Sequence, residues 1–366
     1  LFLLHHRLIY QLKSLFLLIM AFISLGLFTL LSTTLYTSGT FYFYKQINNI
    51  FVGLVAMFIA MRIDFYSLRK RLKPAMNILT FLLFATYVPF LGGTTVNGAS
   101  GWLRIPIINF GFQPAEIAKI ILVIFTANLL SNPEYEKLKL IEKIITLFPT
   151  AGILGLIVFQ PDIGNASVIV LSVFSIYFIA GLSILKIFSV ISILITAFSY
   201  LVLYNPYQFT RLTICFHPWQ DEKGYGYQLV QSLLAIGSGG LTGKGLGNSI
   251  QKLYYLPEKH TDFIFSVYSE ETGLIGGLFM LLLILLLARS GFKIAINVYE
   301  PFIKLLSVGI TVMICGQALI NMGVVTCLFP TTGITLPFIS YGGTSMIISL
   351  FSMGLLLNAS RYTMKK

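Results

Sequence analysis

The sequence predicts an all-α polytopic membrane protein, and three observations carry that reading. Hydrophobic residues make up 56% of the 366 and charged residues only 10%, where a soluble globule carries about 25% charged residues. Apolar runs recur at the length a bilayer core requires, roughly 20 residues per helix. Lys and Arg gather in alternate connections between those runs. Mean hydropathy is +0.85, no soluble domain is left over, and residues 1–366 read as a single integral membrane domain.

About ten spans are expected, near 14–35, 47–63, 74–92, 114–131, 144–160, 165–182, 185–204, 264–288, 303–325 and 343–359. An even number puts both termini on one side, and the basic bias names that side as cytoplasmic. Arg7 and Lys13 precede the first span, and Arg62, Arg69, Lys70, Arg71 and Lys73 join the second to the third. Lys137, Lys139 and Lys143 follow the fourth, Lys186 the sixth, Arg289 and Lys293 the eighth, and Arg361, Lys365 and Lys366 close the chain. The net charge of +12 is therefore a mark of topology, with membrane lipid headgroups as its counter-charge and no nucleic acid implied. One large extracellular loop, about 205–263, is expected between spans seven and eight.

Three cysteines, Cys215, Cys315 and Cys327, show neither CxxC nor metal-ligand spacing. Only Cys215 falls in a predicted exterior loop, so they read as small apolar residues and no disulfide framework is expected. The first apolar run is too long for a signal-peptide core and should be retained as a span.

The first three spans and the loop Arg69–Lys73 read as anchors. Chemistry begins at the exterior loop around Trp102 and at Gln113-Pro114-Ala115-Glu116-Ile117-Ala118-Lys119. Pro114 suits a first helical turn, which puts Glu116 and Lys119 at i, i+3 on one face. Charges at membrane depth are costly and are either paired or functional. A structural ion pair and a direct contact to substrate or cation are both open. Asp162, in Gln160-Pro161-Asp162-Ile163-Gly164-Asn165, is explained by turn preference or by its place on the same exterior face.

The large loop carries Arg211, His217-Pro218-Trp219 and a helical stretch, Leu229–Ile236, expected to lie along the membrane interface. Gly243-Lys244-Gly245-Leu246-Gly247 is no phosphate loop, because Ser238 and Gly245 stand where G-x4-G-K-[ST] requires Gly and Ser/Thr. Nor is there a dinucleotide GxGxxG. Its glycines leave two readings, an anion cradle of exposed amides or a flexible lid.

Pro257-Glu258-Lys259-His260-Thr261-Asp262-Phe263 follows. With 13 acidic residues in the whole chain, the grouping of Glu258, Asp262, Glu270 and Glu271 exceeds what solubility requires. Thr261 or Asp262 would cap the next helix; equally, an ionised carboxylate at the water–lipid boundary would take a proton from a hydroxyl group. The last exterior segment, Asn321–Ser345, places Pro330, Pro337 and several Gly, Ser and Thr in an apolar zone. Irregular backbone at that depth must be buried or line a wet cavity, so a re-entrant loop is expected.

Several of these motifs, in order, resemble the SEDS family (shape, elongation, division and sporulation proteins). They are Gln113-Pro114-x-Glu116-x-Ala118-Lys119, Gln160-Pro161-Asp162, Tyr227-Gln228-x3-Ser232, His260-Thr261-Asp262-Phe263 and Asn321–Ser345, within a match covering nearly all of 14–360. Gly245–Glu258 is more similar to the division and sporulation branches than to the elongation branch. The resemblance implies a peptidoglycan glycosyltransferase that polymerises lipid II at the outer face of the cytoplasmic (inner) membrane. Its partners would be the nascent glycan strand, a class B penicillin-binding protein and other divisome membrane proteins.

Asp262 would then be the catalytic base. Arg211, Lys119 and Lys244 are candidates for holding the pyrophosphate, with or without Mg2+ or Mn2+, while Glu116 and Asp162 would order that constellation. Glu258, His260, Thr261 and Ser340 would contact substrate. The chain departs from the family pattern at His217, at Ser100-Gly101 before Trp102, where basic residues are common and Arg104 is the nearby substitute, and at Thr272. A lipid II flippase and a scaffold that recruits a transpeptidase are the competing readings.

Overall fold

The computed structural model describes residues 2–96, 99–105, 110–182, 185, 192, 196, 206–253 and 255–363. Its helices are α1 (Phe2–Ser38), α2 (Phe41–Ala60), α3 (Phe65–Lys70), α4 (Leu72–Ala85), α5 (Pro114–Leu130), α6 (Glu134–Lys137), α7 (Leu140–Phe159), α8 (Ile163–Ile179), α9 (Pro206–Phe216), α10 (Tyr227–Gly239), α11 (Ile264–Asn297), α12 (Pro301–Val325) and α13 (Gly343–Ala359). Among the described residues, six helices are long and apolar enough to cross a membrane, and α4 and α8 are shorter apolar helices. The expected seventh span, 185–204, and Lys186 lie outside the described residues.

The bundle is built around α12 and α13, whose apolar windows are each 78% buried, against 17% for α7. α12 packs on α11, α8 and α5, and α13 packs on α2. In lipid, helices associate through close backbone approach at small residues. A Cβ on Gly354 would stand 2.4 Å from the Met57 carbonyl, and one on Gly53 2.5 Å from Leu350 Cδ1. The exposed isoleucines and phenylalanines of α2, α4 and α7 form the surface that lipid covers. Below them the basic connection does more than anchor. Arg69 bonds Asn128 at 2.7 Å, pairs with Glu300 at 3.6 Å and stacks on Phe302.

The structure departs from an all-helical expectation in the segment around Trp102. It folds as an antiparallel sheet of β1 (Gly93–Val96), β2 (Ala99–Ile105) and β3 (Phe110–Phe112), with Thr94 opposite Trp102 and Leu103 opposite Phe112. Arg104 is exposed on β2. β3 runs into Gln113 and the Pro114 turn of α5, so the sheet roofs the exterior end of that helix.

α11 is not the uninterrupted span expected. It breaks at Gly273, whose φ of 67° and ψ of −165° lie in a region accessible essentially only to glycine. The glycine-rich segment fills the break with backbone bonds. Lys244 and Gly245 donate to the Glu270 and Glu271 carbonyls at 3.0 and 3.1 Å, while Leu274 and Ile275 donate to Gly240 and Leu241 at 2.9 and 3.2 Å. A Cβ on Gly273 would meet Gly243 N at 2.4 Å and Leu241 O at 2.5 Å. Gly273→Ala should therefore lower stability by about 2–4 kcal/mol, read as a fall in the detergent melting temperature; an unchanged melting temperature would contradict this docking.

The expected re-entrant loop is present. Between α12 and α13 the chain runs irregularly, yet Ile334, Leu336, Phe338, Ile339 and Ser340 are buried. It reaches the middle of α1, where a Cβ on Gly26 would lie 2.5 Å from the Phe338 carbonyl.

Candidate functional site

Three successive carbonyls of the charged loop are held one by one. Tyr341 N–H donates to His260 O at 2.8 Å, Ser340 Oγ to Thr261 O at 2.6 Å and Asn321 Nδ2 to Asp262 O at 2.8 Å. Asn321, on the last turn but one of α12, also donates to Ile334 O at 2.7 Å. One amide thus ties the charged loop to the re-entrant segment. Gln46 of α2 secures the other side, donating to Ser340 O at 3.0 Å, and the rings of Tyr42 and Tyr341 pack on His260. Burial lowers the His260 pKa, so the ring is a neutral packing surface at pH 7.

Asn321→Ala would strip donors from two carbonyls, each costing about 1–3 kcal/mol when unsatisfied. The expected result is a lower melting temperature with faster amide exchange across 260–263. Unchanged exchange there would show that the clamp is not needed.

The capping role expected of Thr261 or Asp262 is not what they do. Phe263 is the N-cap of α11, and Thr261 turns back to Glu258, with its Oγ1 2.7 Å from Glu258 Oε2. Glu258 itself holds a left-handed φ of 50°, which folds the loop over. The Asp262 carboxylate is left partly buried. Gly333 lies beside it, where even a Cβ would be 3.6 Å from Oδ2.

Desolvation pushes the Asp262 carboxyl up to about 7, helped by the negative charges of Glu258 and Asp162 and opposed by Arg211. At neutral pH it is therefore a mixture of acid and base forms, not the fully ionised group its ordinary value predicts. Arg211 sits on α9, its guanidinium 3.4 Å from the Thr331 carbonyl.

Asp162 caps α8. Its carboxylate accepts Asn165 N–H at 3.0 Å, Asn165 Nδ2 at 2.8 Å and Gln113 Nε2 at 2.7 Å. Burial raises its pKa against those bonds, with Glu116 adding to the rise and Lys119 reducing it. The turn reading and the positional reading of Asp162 both hold.

Glu116 and Lys119 form a buried ion pair at 2.8 Å. Lys119 Nζ also donates to Gln317 Oε1 at 2.6 Å, and Gln317 Nε2 to Thr335 O at 2.9 Å. The pair thus supports the re-entrant segment from beneath and is enclosed by protein on the way. Of the two readings open for these residues, the structural pair is the one seen.

Lys244 is elsewhere. Its ammonium is 2.7 Å from Glu270 Oε1, and that carboxylate also accepts Ser249 Oγ at 2.5 Å and the Ile250 and Gln251 amides at 3.2 Å. The glycine-rich segment is a cradle, but its anion is the protein's own Glu270. Neither a pyrophosphate contact from Lys244 nor a free lid fits that arrangement. Beside it Lys252, buried, pairs with Glu271 at 2.9 Å and bonds Ser32. α10 also departs from expectation, since Leu229, Ser232 and Ala235 are buried and Ser232 bonds Ser266 and the Val325 carbonyl.

The sequence reading passed over Gln46, Gln317 and Lys252, and it noted Asn321 only as the start of a segment. A signal was present in Gln317 and Asn321, two amides within the largely apolar run of α12, but not in Gln46, which sits beside Lys45, Asn48 and Asn49. Lys252 had none, because its partner Glu271 is hidden by the break in α11.

Fold and site together define a polytopic membrane protein whose face opposite the basic loops carries a cluster of polar and acidic side chains set against a broken re-entrant segment. Residues 7–365 match the family described as cell cycle protein, which groups FtsW, RodA and SpoVE. The chain belongs to this family, the SEDS proteins. Stage V sporulation protein E of Bacillus subtilis is 41% identical over 321 residues, 85% of either chain. A probable peptidoglycan glycosyltransferase FtsW of Geobacter sp. (strain M18) is 40% identical over 326 residues, 88% of this chain and 87% of that one.

Among solved structures, a chain of a peptidoglycan synthase complex, studied for the coordination of polymerization and crosslinking, superposes with a TM-score of 0.78. The two are 28% identical, and the match covers 97% of this chain and 98% of that one. The rod shape determining protein RodA of Thermus thermophilus gives 0.69 at 28% identity over 96% and 97%.

Proposed function

We propose that this protein is a peptidoglycan glycosyltransferase that polymerises lipid II at the outer face of the cytoplasmic membrane, with Asp262 as general base. The observation that carries this reading is the Asp262 carboxyl, displayed on a loop held at three consecutive carbonyls and pushed by burial up to about 7. A base is most effective when its pKa lies near the working pH. The names of the FtsW relatives and the synthase-complex neighbour support the same activity.

In the reaction, Asp262 takes the proton of the acceptor N-acetylglucosamine 4-hydroxyl as that oxygen attacks the donor anomeric carbon. The bond to the polyprenyl pyrophosphate breaks, and the anomeric centre inverts. The departing pyrophosphate requires positive charge, for which Arg211, the cation acting on Asp262, is the assigned residue. Lys119 and Glu116 support the cleft floor, Asp162 tunes Asp262 through its charge, and Ser340 and Thr261 hold the loop in place. Glu258 and His260 shape the cleft wall and are its assigned contacts to the sugar. Among the described residues no three His, Cys, Asp or Glu come together. A Mg2+ or Mn2+ would therefore rest on one or two carboxylates and on the pyrophosphate itself, and no step is routed through it.

The division branch is the better reading for cellular role. It is supported by Gly245–Glu258 and by 40% identity to the Geobacter FtsW against 28% to the Thermus RodA. The partners would be a class B penicillin-binding protein and other divisome proteins, at the septum. Purified protein in proteoliposomes with fluorescent lipid II tests the activity. Glycan polymer is expected; translocation of lipid II without polymer would replace this reading with transport, and neither product would favour a scaffold.

A further inference from the structure

We propose that Cys215 and Cys327 form an oxidisable pair that closes to a disulfide, stapling α9 to the segment that runs past Asp262. The two thiols are set on each other's backbone. Cys215 Sγ donates to the Cys327 carbonyl at 3.6 Å and Cys327 Sγ to the Cys215 carbonyl at 3.0 Å, across 112 residues of sequence. The two thiols also lie close enough to influence each other electrostatically. Cys327 is held rigidly there. It takes a left-handed φ of 61° directly after α12, and its own amide and those of the next two residues bond back to Val324 and Gly323. Cys315 cannot compete, being buried inside the bundle with its Sγ near the Ile284 carbonyl.

Both cysteines lie on the face opposite the basic loops, Cys327 joining the Cys215 that alone was expected there, and that side is open to an oxidising compartment. Two S–H bonds break and one S–S bond forms. The two electrons and two protons pass to a disulfide oxidant of that compartment, which becomes a dithiol. The consequence reaches the cleft because Arg211 lies one helical turn before Cys215, and its partner Thr331 lies four residues after Cys327. The bond would fix Arg211 against the re-entrant segment beside Asp262. Only this last consequence rests on the function proposed above.

The test uses full-length protein in detergent, treated with diamide, denatured and labelled with maleimide-polyethylene glycol. Three labelled thiols, matching the three free cysteines, should fall to one in the wild type, with a linked 215–327 peptide by mass spectrometry. Cys215→Ser and Cys327→Ser should each keep two labelled thiols before and after oxidation. Three thiols persisting in the oxidised wild type would overturn the pair, as would linkage only between two chains. The wild-type peptide map decides the matter even if a serine variant fails to fold. A lipid II polymerisation rate that shifts on oxidation and returns with dithiothreitol, in the wild type but not in Cys327→Ser, supports the link to Arg211. A bond formed with no change in rate overturns that link.

Discussion

Asp262→Asn should abolish glycan polymerisation while making the protein more stable. Removing a positioned general base costs about 10²–10⁴-fold in rate, and the amide cannot accept the hydroxyl proton. The stability gain has a separate origin. Burial pushes the folded carboxyl up to about 7 from the ordinary aspartate value of 3.8, so the folded state binds the proton more tightly than the unfolded chain. That contribution is fully present at acid pH and is lost as pH rises from about 4 towards 7 and above. At pH 8 the ionised carboxylate is an energetic burden that asparagine removes. With the partial exposure of Asp262 discounted, the gain is roughly 1–3 kcal/mol. A higher melting temperature at pH 8 that fades towards pH 4 is the expected pattern. Loss of both activity and fold would contradict it, and undiminished polymerisation would remove the base assignment.

The second large effect is at Glu116 and Lys119. Each is nearly inaccessible to water, so Glu116→Gln or Lys119→Met alone leaves an uncompensated buried charge, at a cost of about 3–5 kcal/mol. The double variant removes both charges and should recover most of that loss, because a buried pair contributes little beyond a well-packed apolar replacement. Melting temperatures of the four proteins in detergent give the coupling directly. A double variant as unstable as the sum of the singles would mean that the two side chains do not act as a pair. The polymerisation rate of the recovered double variant then separates support of the cleft floor from contact with substrate.

The spans were legible because bilayer length and hydropathy are properties of runs, and α5, α7, α8, α12 and α13 begin or end close to where the runs do. The break in α11 was not legible in the same way. Gly273 opens an apolar stretch directly after Glu270-Glu271-Thr272, with Gly276 and Gly277 nearby, and only its contact with Gly243 and Leu241, some thirty residues earlier, sets it apart. The sheet around Trp102 was missed for a related reason, since short exterior strands carry too few alternating residues to outweigh their glycines.

At the site, the structure brings Glu258, Asp162 and Arg211 within electrostatic reach of Asp262, whereas Glu270 and Glu271, grouped with Glu258 and Asp262 by their sequence spacing, pair with Lys244 and Lys252. The Lys244 ammonium turns to Glu270. A lysine among glycines reads as an anion site, and nothing local reveals that the anion is Glu270. The clamp was invisible because its acceptors are backbone carbonyls, which every residue carries. Its donors come from α12 and the re-entrant segment, far along the chain.

The central claim is that a carboxyl with a pKa lifted to about 7 takes the acceptor proton, and the initial rate of lipid II polymerisation against pH tests it most directly. With saturating lipid II and fixed ionic strength, the rate should climb about tenfold per pH unit below the pKa and level off above it, since only the ionised carboxyl accepts a proton. A rising limb centred near pH 7 is the predicted result. A rate already level from pH 5 upward, as an ordinary aspartate would give, would contradict it.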